Sequence, residues 1–245
     1  EELYEAVATL VKGTEFAFGP GEYTRLVDEN IQARIRFADV LSGLAAKYGL
    51  IFTNNGNKTE VALGYATLYG DVSGAVAPIA DLYKTEVFEL ARYLNDVVYG
   101  REVVPENLLS GEIVPSAELS TAQDVTKGLG DPIKYGYHDA VIRQMIEYRR
   151  HGVDFLQWLL DGVFLQRLLW DEETRFREYF SDTKEWIDDL EWVERQLRIN
   201  YFKRIQAPPI IVLSKRAFGF DLRETQCPAY VPRRYDELKA QVLAK

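Results

Sequence analysis

Residues 53–94, TNNGNKTEVALGYATLYGDVSGAVAPIADLYKTEVFELARYL, decide the fold of this chain. The apolar run Gly-Leu-Ile-Phe at 49–52 suits a short buried strand, and the polar cluster at 53–60 cannot continue that strand. Open α/β sheets bind ligands at such polar turns, which follow the carboxyl ends of strands. A second loop, at 69–74, is small and flexible enough to close on a ligand. The stretch therefore predicts an α/β protein with a ligand site at the strand ends.

Three charged residues of this stretch lie near junctions between loops and helices. They are Glu60, Asp71 and Lys84. Carboxylates at such positions can hold Mg²⁺, and a lysine can meet a phosphate group as a point charge. The stretch thus carries the residue types of a phosphate or metal site.

Composition excludes several classes of protein. The chain has 245 residues, with 38 acidic and 29 basic side chains and a formal net charge of −9, which argues against a nucleic-acid-binding surface. The single cysteine, Cys227, excludes an intrachain disulfide and a cysteine-cluster metal site, and its role stays open. No apolar run approaches the length of a membrane span. We expect a cytoplasmic protein with no nucleic-acid or membrane partner.

Periodicity predicts a βα front half followed by a mostly helical back half. Residues Asp28, Glu29 and Asn30 offer caps to the helix at 31–48. The predicted strands are residues 50–53 and 75–79, with a shorter strand-like run at 210–213. The predicted helices are residues 1–12, 31–48, 59–68, 85–95, 139–150, 153–169, 172–204 and 234–243. Residues 116–138 suit either a mobile active-site loop or an inert connection.

Several motifs in one order along the chain carry a family resemblance. The central ones are NKTE at 57–60, Gly64-Tyr65, TLYGD at 67–71, YKT at 83–85 and ELARY at 89–93. The flanking ones are ENIQARIR at 29–36, PSAEL at 115–119, FKR at 202–204 and RAFG at 216–219. Together they resemble the synthetase domain of NAD synthetases, more closely the glutamine-dependent type, over nearly the whole chain.

The resemblance implies a Rossmann-like α/β fold of the PP-loop type, with a partial parallel sheet and a largely helical C-terminal half. It also implies NAD⁺ biosynthesis by a ligase. ATP adenylates the nicotinate carboxylate of deamido-NAD (nicotinate adenine dinucleotide), and ammonia derived from glutamine then displaces AMP. Such chemistry needs Mg²⁺, charge neutralisation and positioning more than a protein nucleophile. The two histidines, His138 and His151, offer little for a catalytic triad.

Matching motif positions imply the site residues. Those expected to contact ATP are Asn55, Lys84 and Ser116. Those expected to contact deamido-NAD are Asn30, Arg34, Glu60, Tyr65, Leu68, Asp71 and Lys203. Glu60 is the expected Mg²⁺ ligand, and Asp71 and Lys84 are the expected catalytic residues. We predict that Glu60, Asp71 and Lys84 converge on one cleft.

By residue type alone, these positions also have ordinary structural roles. Glu60 suits the first turn of a helix, and Lys203 suits a helix C-terminus, because both charges complement the helix dipole. Asp71 suits an ordinary turn. The remaining alternatives are a solvated helix lysine for Lys84, a cap for Ser116, a solvated flank for Arg34, and core positions for Tyr65 and Leu68.

One family motif is missing from the sequence. No Ser-Gly-Gly-x-Asp-Ser phosphate loop occurs, because Leu-Ser-Gly-Leu at 41–44 lacks the second glycine and the aspartate. We therefore expect residues 1–245 to be a fragment of the synthetase domain, without that loop and without a glutaminase domain. We also expect that this chain alone makes no NAD⁺, and turnover by the purified chain in a coupled assay would contradict that.

Two other functions remain open on the sequence. One is a different adenylating enzyme, such as an asparagine or GMP synthetase relative, against which Tyr-Gly-Asp at 69–71 and the motif at 216–219 argue. The other is a non-catalytic module for helical dimerisation or half-site binding, built from the helix at 31–48 and the C-terminal helices. The family resemblance implies a homodimer or larger homo-oligomer, so dimerisation is compatible with the ligase.

Overall fold

The computed structural model describes residues 1–14, 21–110, 116, 131–219 and 232–244. The described residues form thirteen α-helices. In chain order these are α1 (Glu2–Lys12), α2 (Arg25–Arg34), α3 (Ser42–Tyr48), α4 (Lys58–Leu63), α5 (Lys84–Tyr93), α6 (Glu106–Leu109), α7 (Tyr137–Ile146), α8 (Gly152–Leu160), α9 (Phe164–Leu168), α10 (Glu173–Tyr179), α11 (Thr183–Ile199), α12 (Tyr201–Ile205) and α13 (Arg234–Leu243). None of them is long and apolar enough to cross a bilayer.

Two π-helical stretches extend the front helices. Ile35–Leu41 joins α2 to α3, and Leu94–Tyr99 follows α5. The predicted helix at 31–48 starts earlier, at Arg25, because the Thr24 side chain accepts a hydrogen bond from the Val27 N–H and caps the helix there. The caps expected at 28–30 therefore lie inside the helix, and that prediction was wrong.

The sheet of the described residues is minimal. Thr53 forms a parallel bridge with Val76, and Ala77 forms a parallel bridge with Ile210, so the three predicted strand segments meet in one direction. They meet only as isolated bridges, not as extended strands. The predicted burial at the start of the first segment was wrong, because Leu50 is 65 % exposed and Ile51 is 72 % exposed.

Helix α4 is shorter than the predicted helix at 59–68. Asn57 and Glu60 form a reciprocal capping box at its start, where each side chain accepts the other's backbone N–H. Gly64 ends the helix in the left-handed conformation, with φ of 66°. Such a C-terminal glycine stops a helix, and the TLYGD motif therefore lies in a turn beyond it.

The two longest predicted helices of the back half are broken. Gly162, with φ of 72°, separates α8 from α9 within the predicted helix at 153–169. The predicted helix at 172–204 is three helices, because Asp182 caps a new start for α11 and Asn200 has a non-helical conformation before α12. The predicted helices at 1–12 and 234–243 are confirmed to within one residue.

The core lies in the helical back half. Helix α11 buries one face and packs against α4, α8 and α13. The residues of that face are Trp186, Ile187, Leu190, Val193 and Leu197. Helix α7 adds Tyr137, Val141 and Ile142, each of which is fully buried. Helix α4 packs on α7 and α11 and is thereby joined to this core.

Candidate functional site

A cavity of about 270 Å³ lies between α4, the turns on either side of it, and the segment that follows α12. Five predicted site residues line it, namely Asn55, Glu60, Tyr65, Asp71 and Lys203. Most of its remaining wall is apolar, including Phe37, Val61, Val72 and Phe218. The volume lies just below the range of small-molecule sites, roughly 300–1,000 Å³, so the cavity can hold one end of a dinucleotide but not the whole of it.

The Glu60 side chain is held in the first turn of α4 by its capping box and by a hydrogen bond from a tyrosine. Its Oε2 accepts the Asn57 N–H at 3.0 Å, and its Oε1 accepts the Tyr135 hydroxyl at 2.9 Å. The Lys84 Nζ lies 3.8 Å from the same Oε1. Burial raises the pKa of the Glu60 carboxyl, against the opposing effect of Lys84 and of the two hydrogen bonds. The structure thus brings Glu60 and Lys84 together.

Tyr135 and Asp131 join this cluster, and the sequence prediction missed both. The Tyr135 hydroxyl lies 3.2 Å from Asp131 Oδ2, and the Tyr65 hydroxyl donates to Asp131 Oδ1 at 3.0 Å. The Lys84 Nζ lies 5.1 Å from the centre of the Tyr135 ring. The only signal in the sequence was an aspartate and a tyrosine immediately before an apolar helix.

Asp71 is a second carboxylate that lines the cavity. Its Oδ1 accepts the Thr67 N–H at 2.8 Å, which closes the TLYGD turn. Burial raises the pKa of the Asp71 carboxyl, and the Thr67 hydrogen bonds and the Lys203 ammonium oppose that rise. Burial lowers the pKa of Lys203 in turn, against the opposing charge of Asp71. The cavity wall therefore includes two half-buried carboxyl groups, those of Glu60 and Asp71.

The hydrogen bonds described for the Lys203 side chain are made to backbone carbonyl groups. Its Nζ donates to the Gly64 and Ala66 carbonyls, both at 2.7 Å, beyond the end of α4. Arg204 donates to the Ala62 carbonyl at 2.8 Å, and Asn200 donates to the Leu63 carbonyl at 2.8 Å. These three side chains satisfy carbonyls that the end of a helix leaves open. Lys203 thus has the structural role of a helix C-terminal cation while it lines the cavity.

The other predicted residues, including Lys84 beside Glu60 and Leu68, are not part of the cavity wall. Asn30 accepts the Thr67 hydroxyl at 2.8 Å, and the Arg34 Nε donates to the Leu68 carbonyl at 3.1 Å. Both side chains therefore hold the TLYGD turn through hydrogen bonds. Ser116 is half-buried, and its neighbours 111–115 and 117–130 lie outside the described residues, as does Cys227.

The described residues of the site do not form a preformed metal site. In the part of the chain that the structure describes, no group of three or more His, Cys, Asp or Glu residues is placed to hold a metal ion. Mg²⁺ is commonly bound by one or two carboxylates together with substrate phosphates and water. Glu60, as a single carboxylate at the cavity, fits that mode of binding.

Comparisons with known proteins identify the family of this chain. A family model described as NAD synthase matches residues 2–157. A glutamine-dependent NAD(+) synthetase from Xanthomonas campestris pv. campestris is 34 % identical over 89 % of this chain and 34 % of its own length. One from Aquifex aeolicus is 46 % identical over 81 % of this chain and 29 % of its own length. The chain spans about a third of the length of these relatives.

A solved structure shares the fold. A glutamine-dependent NAD(+) synthetase from Cytophaga hutchinsonii aligns with 98 % of this chain and 34 % of its own, with a TM-score of 0.64 and 19 % identity. This likeness supports the predicted α/β class. The family match confirms the resemblance that the sequence motifs indicated: the chain belongs to the NAD synthase family.

Proposed function

We propose that this chain forms the dinucleotide side of an NAD synthetase site. The reaction is the amidation of deamido-NAD to NAD⁺, driven by ATP through an acyl-adenylate that ammonia attacks. The observation that carries the proposal is the shared cavity of Glu60, Asp71 and Lys203, with Lys84 3.8 Å from Glu60. Family membership supports the reaction class, and the names of the relatives support glutamine as the source of ammonia.

The apolar wall of the cavity suits the nicotinate ring. Tyr65 and Phe218 are aromatic, and Val61 and Val72 complete an apolar surface for a flat ring. Leu68, which the resemblance assigned to deamido-NAD, is not part of this wall. In the proposal, Asp71 faces the reacting carboxyl end and orients the incoming ammonia by accepting its hydrogen bond.

The polar mouth of the cavity suits ATP. Glu60 would hold Mg²⁺ only together with phosphate oxygens, and the metal would neutralise the charge of the departing pyrophosphate. Lys84 would then leave Glu60 and meet phosphate, because a second cation at the carboxylate would repel the lysine. Asn55 is exposed at the same mouth and would donate to ATP. Ser116 stays a predicted ATP contact.

For the whole molecule, we propose that the three bridged segments belong to one parallel sheet of the Rossmann-like PP-loop type. Residues 1–245 then belong to a single synthetase domain. The homodimer or larger homo-oligomer stays a prediction from the family resemblance, and the cytoplasmic location stays a prediction from the sequence.

Isothermal titration calorimetry of the purified chain with deamido-NAD tests the proposal. We expect saturable binding that Asp71→Asn and Lys203→Met both weaken. Lys184→Met is the matched control, because Lys184 is exposed on α11 and pairs with Asp188. Absence of binding by a folded chain would contradict the proposal and favour a helical dimerisation module instead.

A further inference from the structure

A fully buried lysine lies next to the candidate site. The Lys58 side chain has no solvent exposure, and its Nζ lies 2.9 Å from Asp81 Oδ1 and 3.2 Å from Glu147 Oε1. It also donates to Ser214 Oγ at 2.8 Å and to the Arg216 carbonyl at 2.7 Å. A lysine is almost never fully buried unless its charge is paired, so this cluster is a specific arrangement of the fold.

The cluster joins segments that are far apart in sequence. Lys58 lies on the first turn of α4, Glu147 follows α7, and Asp81 lies in the turn before α5. Asp81 Oδ2 also accepts the backbone N–H groups of Leu213 and Ser214, each at 2.6 Å. One buried ammonium therefore connects α4 to the segment 213–216 through a carboxylate and through direct bonds.

Both connected segments lead into walls of the cavity. Glu60 lies two residues after Lys58 on the same helical turn. Phe218 and Gly219 lie just beyond Arg216 and also line the cavity. Phe218 is buried, and the Arg204 guanidinium lies 4.9 Å from the centre of its ring. A shift of the 213–216 segment would therefore move Phe218 relative to Glu60.

We propose that Lys58 is a positioning residue that holds the Glu60 wall and the Phe218 wall of the cavity at a fixed separation. It contacts no substrate itself. Its ammonium is fully satisfied by Asp81, Glu147, Ser214 and the Arg216 carbonyl, so it has no free donor for a ligand. The effect on ligand binding rests on the proposed function, and the effect on the two walls does not.

Hydrogen exchange of the ligand-free chain tests the effect on the walls. In Lys58→Met we expect the amides of Leu213 and Ser214, and those of residues 57–61, to exchange about tenfold faster or more, because an unpaired buried carboxylate draws in water. Leu238→Ala is the matched control, because Leu238 is buried on α13, which packs on α8 and α11, away from the cavity. Faster exchange throughout the chain in both variants, or no local change in Lys58→Met, would overturn the proposal.

A second variant keeps the test valid if Lys58→Met does not fold. Lys58→Met combined with Glu147→Gln removes one carboxylate together with the ammonium, so less uncompensated charge is buried. We expect it to fold, to keep the local increase in exchange, and to bind deamido-NAD about tenfold more weakly than Leu238→Ala at equal thermal stability. Equal affinity of the two variants would overturn the proposal. If the parent chain does not bind deamido-NAD, the proposed function fails, and hydrogen exchange alone still decides the role of Lys58.

Discussion

Two half-buried carboxyl groups line the cavity, and burial affects the pKa of both. Glu60 and Asp71 both have a raised pKa, and burial is the largest cause in each case. Each carboxyl group is held by backbone N–H groups and faces a lysine, Lys84 for Glu60 and Lys203 for Asp71. Such perturbed groups in a cleft mark functional sites more often than ordinary surface positions do.

The pKa of Glu60 can be tested directly. We expect an NMR titration to place it above the ordinary value of 4.5, because burial outweighs the attraction of Lys84. Lys84→Met should raise the pKa further, since it removes the opposing cation. The sign follows from linkage: the folded state prefers protonated Glu60, so ionised Glu60 lowers stability as pH rises through the raised pKa.

The control for this titration is Lys184→Met, which removes a lysine remote from the cavity and paired with Asp188. It should leave the Glu60 pKa unchanged. A Glu60 pKa at or below 4.5 in the parent chain would show that the carboxyl group is not desolvated as the structure describes.

Several side chains of the candidate site could be predicted from the sequence, and others could not. Glu60, Tyr65, Asp71 and Lys203 belong to motifs, Asn55 lies two residues before one, and all five line the cavity. Contacts across long sequence separations were missed. Tyr135 reaches Glu60 across 75 positions, and Asn200 reaches the Leu63 carbonyl across 137. Periodicity reports which face of an element is apolar, and it carries no information on which distant segment approaches that face.

At the scale of elements, caps explain most differences between the predicted and observed helices. Thr24, Asn57 and Asp182 start helices through their side chains, and Gly64 ends one through its left-handed conformation. The apolar stripe of 172–204 continues across two breaks, so the stripe alone indicated one helix. A stripe reports the face that packs on the core, and local capping decides where each helix stops.

The packing of Asn200 against the end of α4 can be tested by comparing two glycines, of which only one lies against a neighbouring side chain. Gly64 and Gly49 both end helices with positive φ, of 66° and 64°. A Cβ at Gly64 would lie 2.3 Å from the Asn200 Cβ, while a Cβ at Gly49 would meet nothing within 4 Å.

We expect Gly49→Ala to lower the free energy of unfolding by about 1 kcal/mol, the cost of the left-handed conformation alone. Gly64→Ala should cost about 1–3 kcal/mol more, because it also displaces Asn200. Urea unfolding of the two variants measures the difference. Equal costs would show that Asn200 does not pack against Gly64.

At the scale of the whole molecule, stability is concentrated in the helical back half. The described core is largely built from α7, α8, α9, α11 and α13, and the bridged segments contribute little to it. The α/β class followed from the sequence because apolar runs before polar turns are typical of such folds. The burial of the first run did not follow, since burial needs covering segments and the described residues leave Leu50 and Ile51 exposed.

Two isoleucines test this distribution of stability in the isolated chain. Ile51→Ala should change the free energy of unfolding by less than about 0.5 kcal/mol, because Ile51 is 72 % exposed. Ile187→Ala should cost about 2–5 kcal/mol, because Ile187 is fully buried on α11. Thermal or urea unfolding measures both values. A cost of more than about 2 kcal/mol at Ile51 would show that the first segment is buried as the sequence predicted.

A crystal structure of the chain with bound deamido-NAD tests most directly whether one cavity serves the dinucleotide. The account predicts the nicotinate ring between Tyr65 and Phe218, with its carboxylate towards Asp71 and with Glu60 and Lys84 at the mouth of the same cavity. Ordered dinucleotide at another surface of the molecule, with this cavity empty, would contradict it.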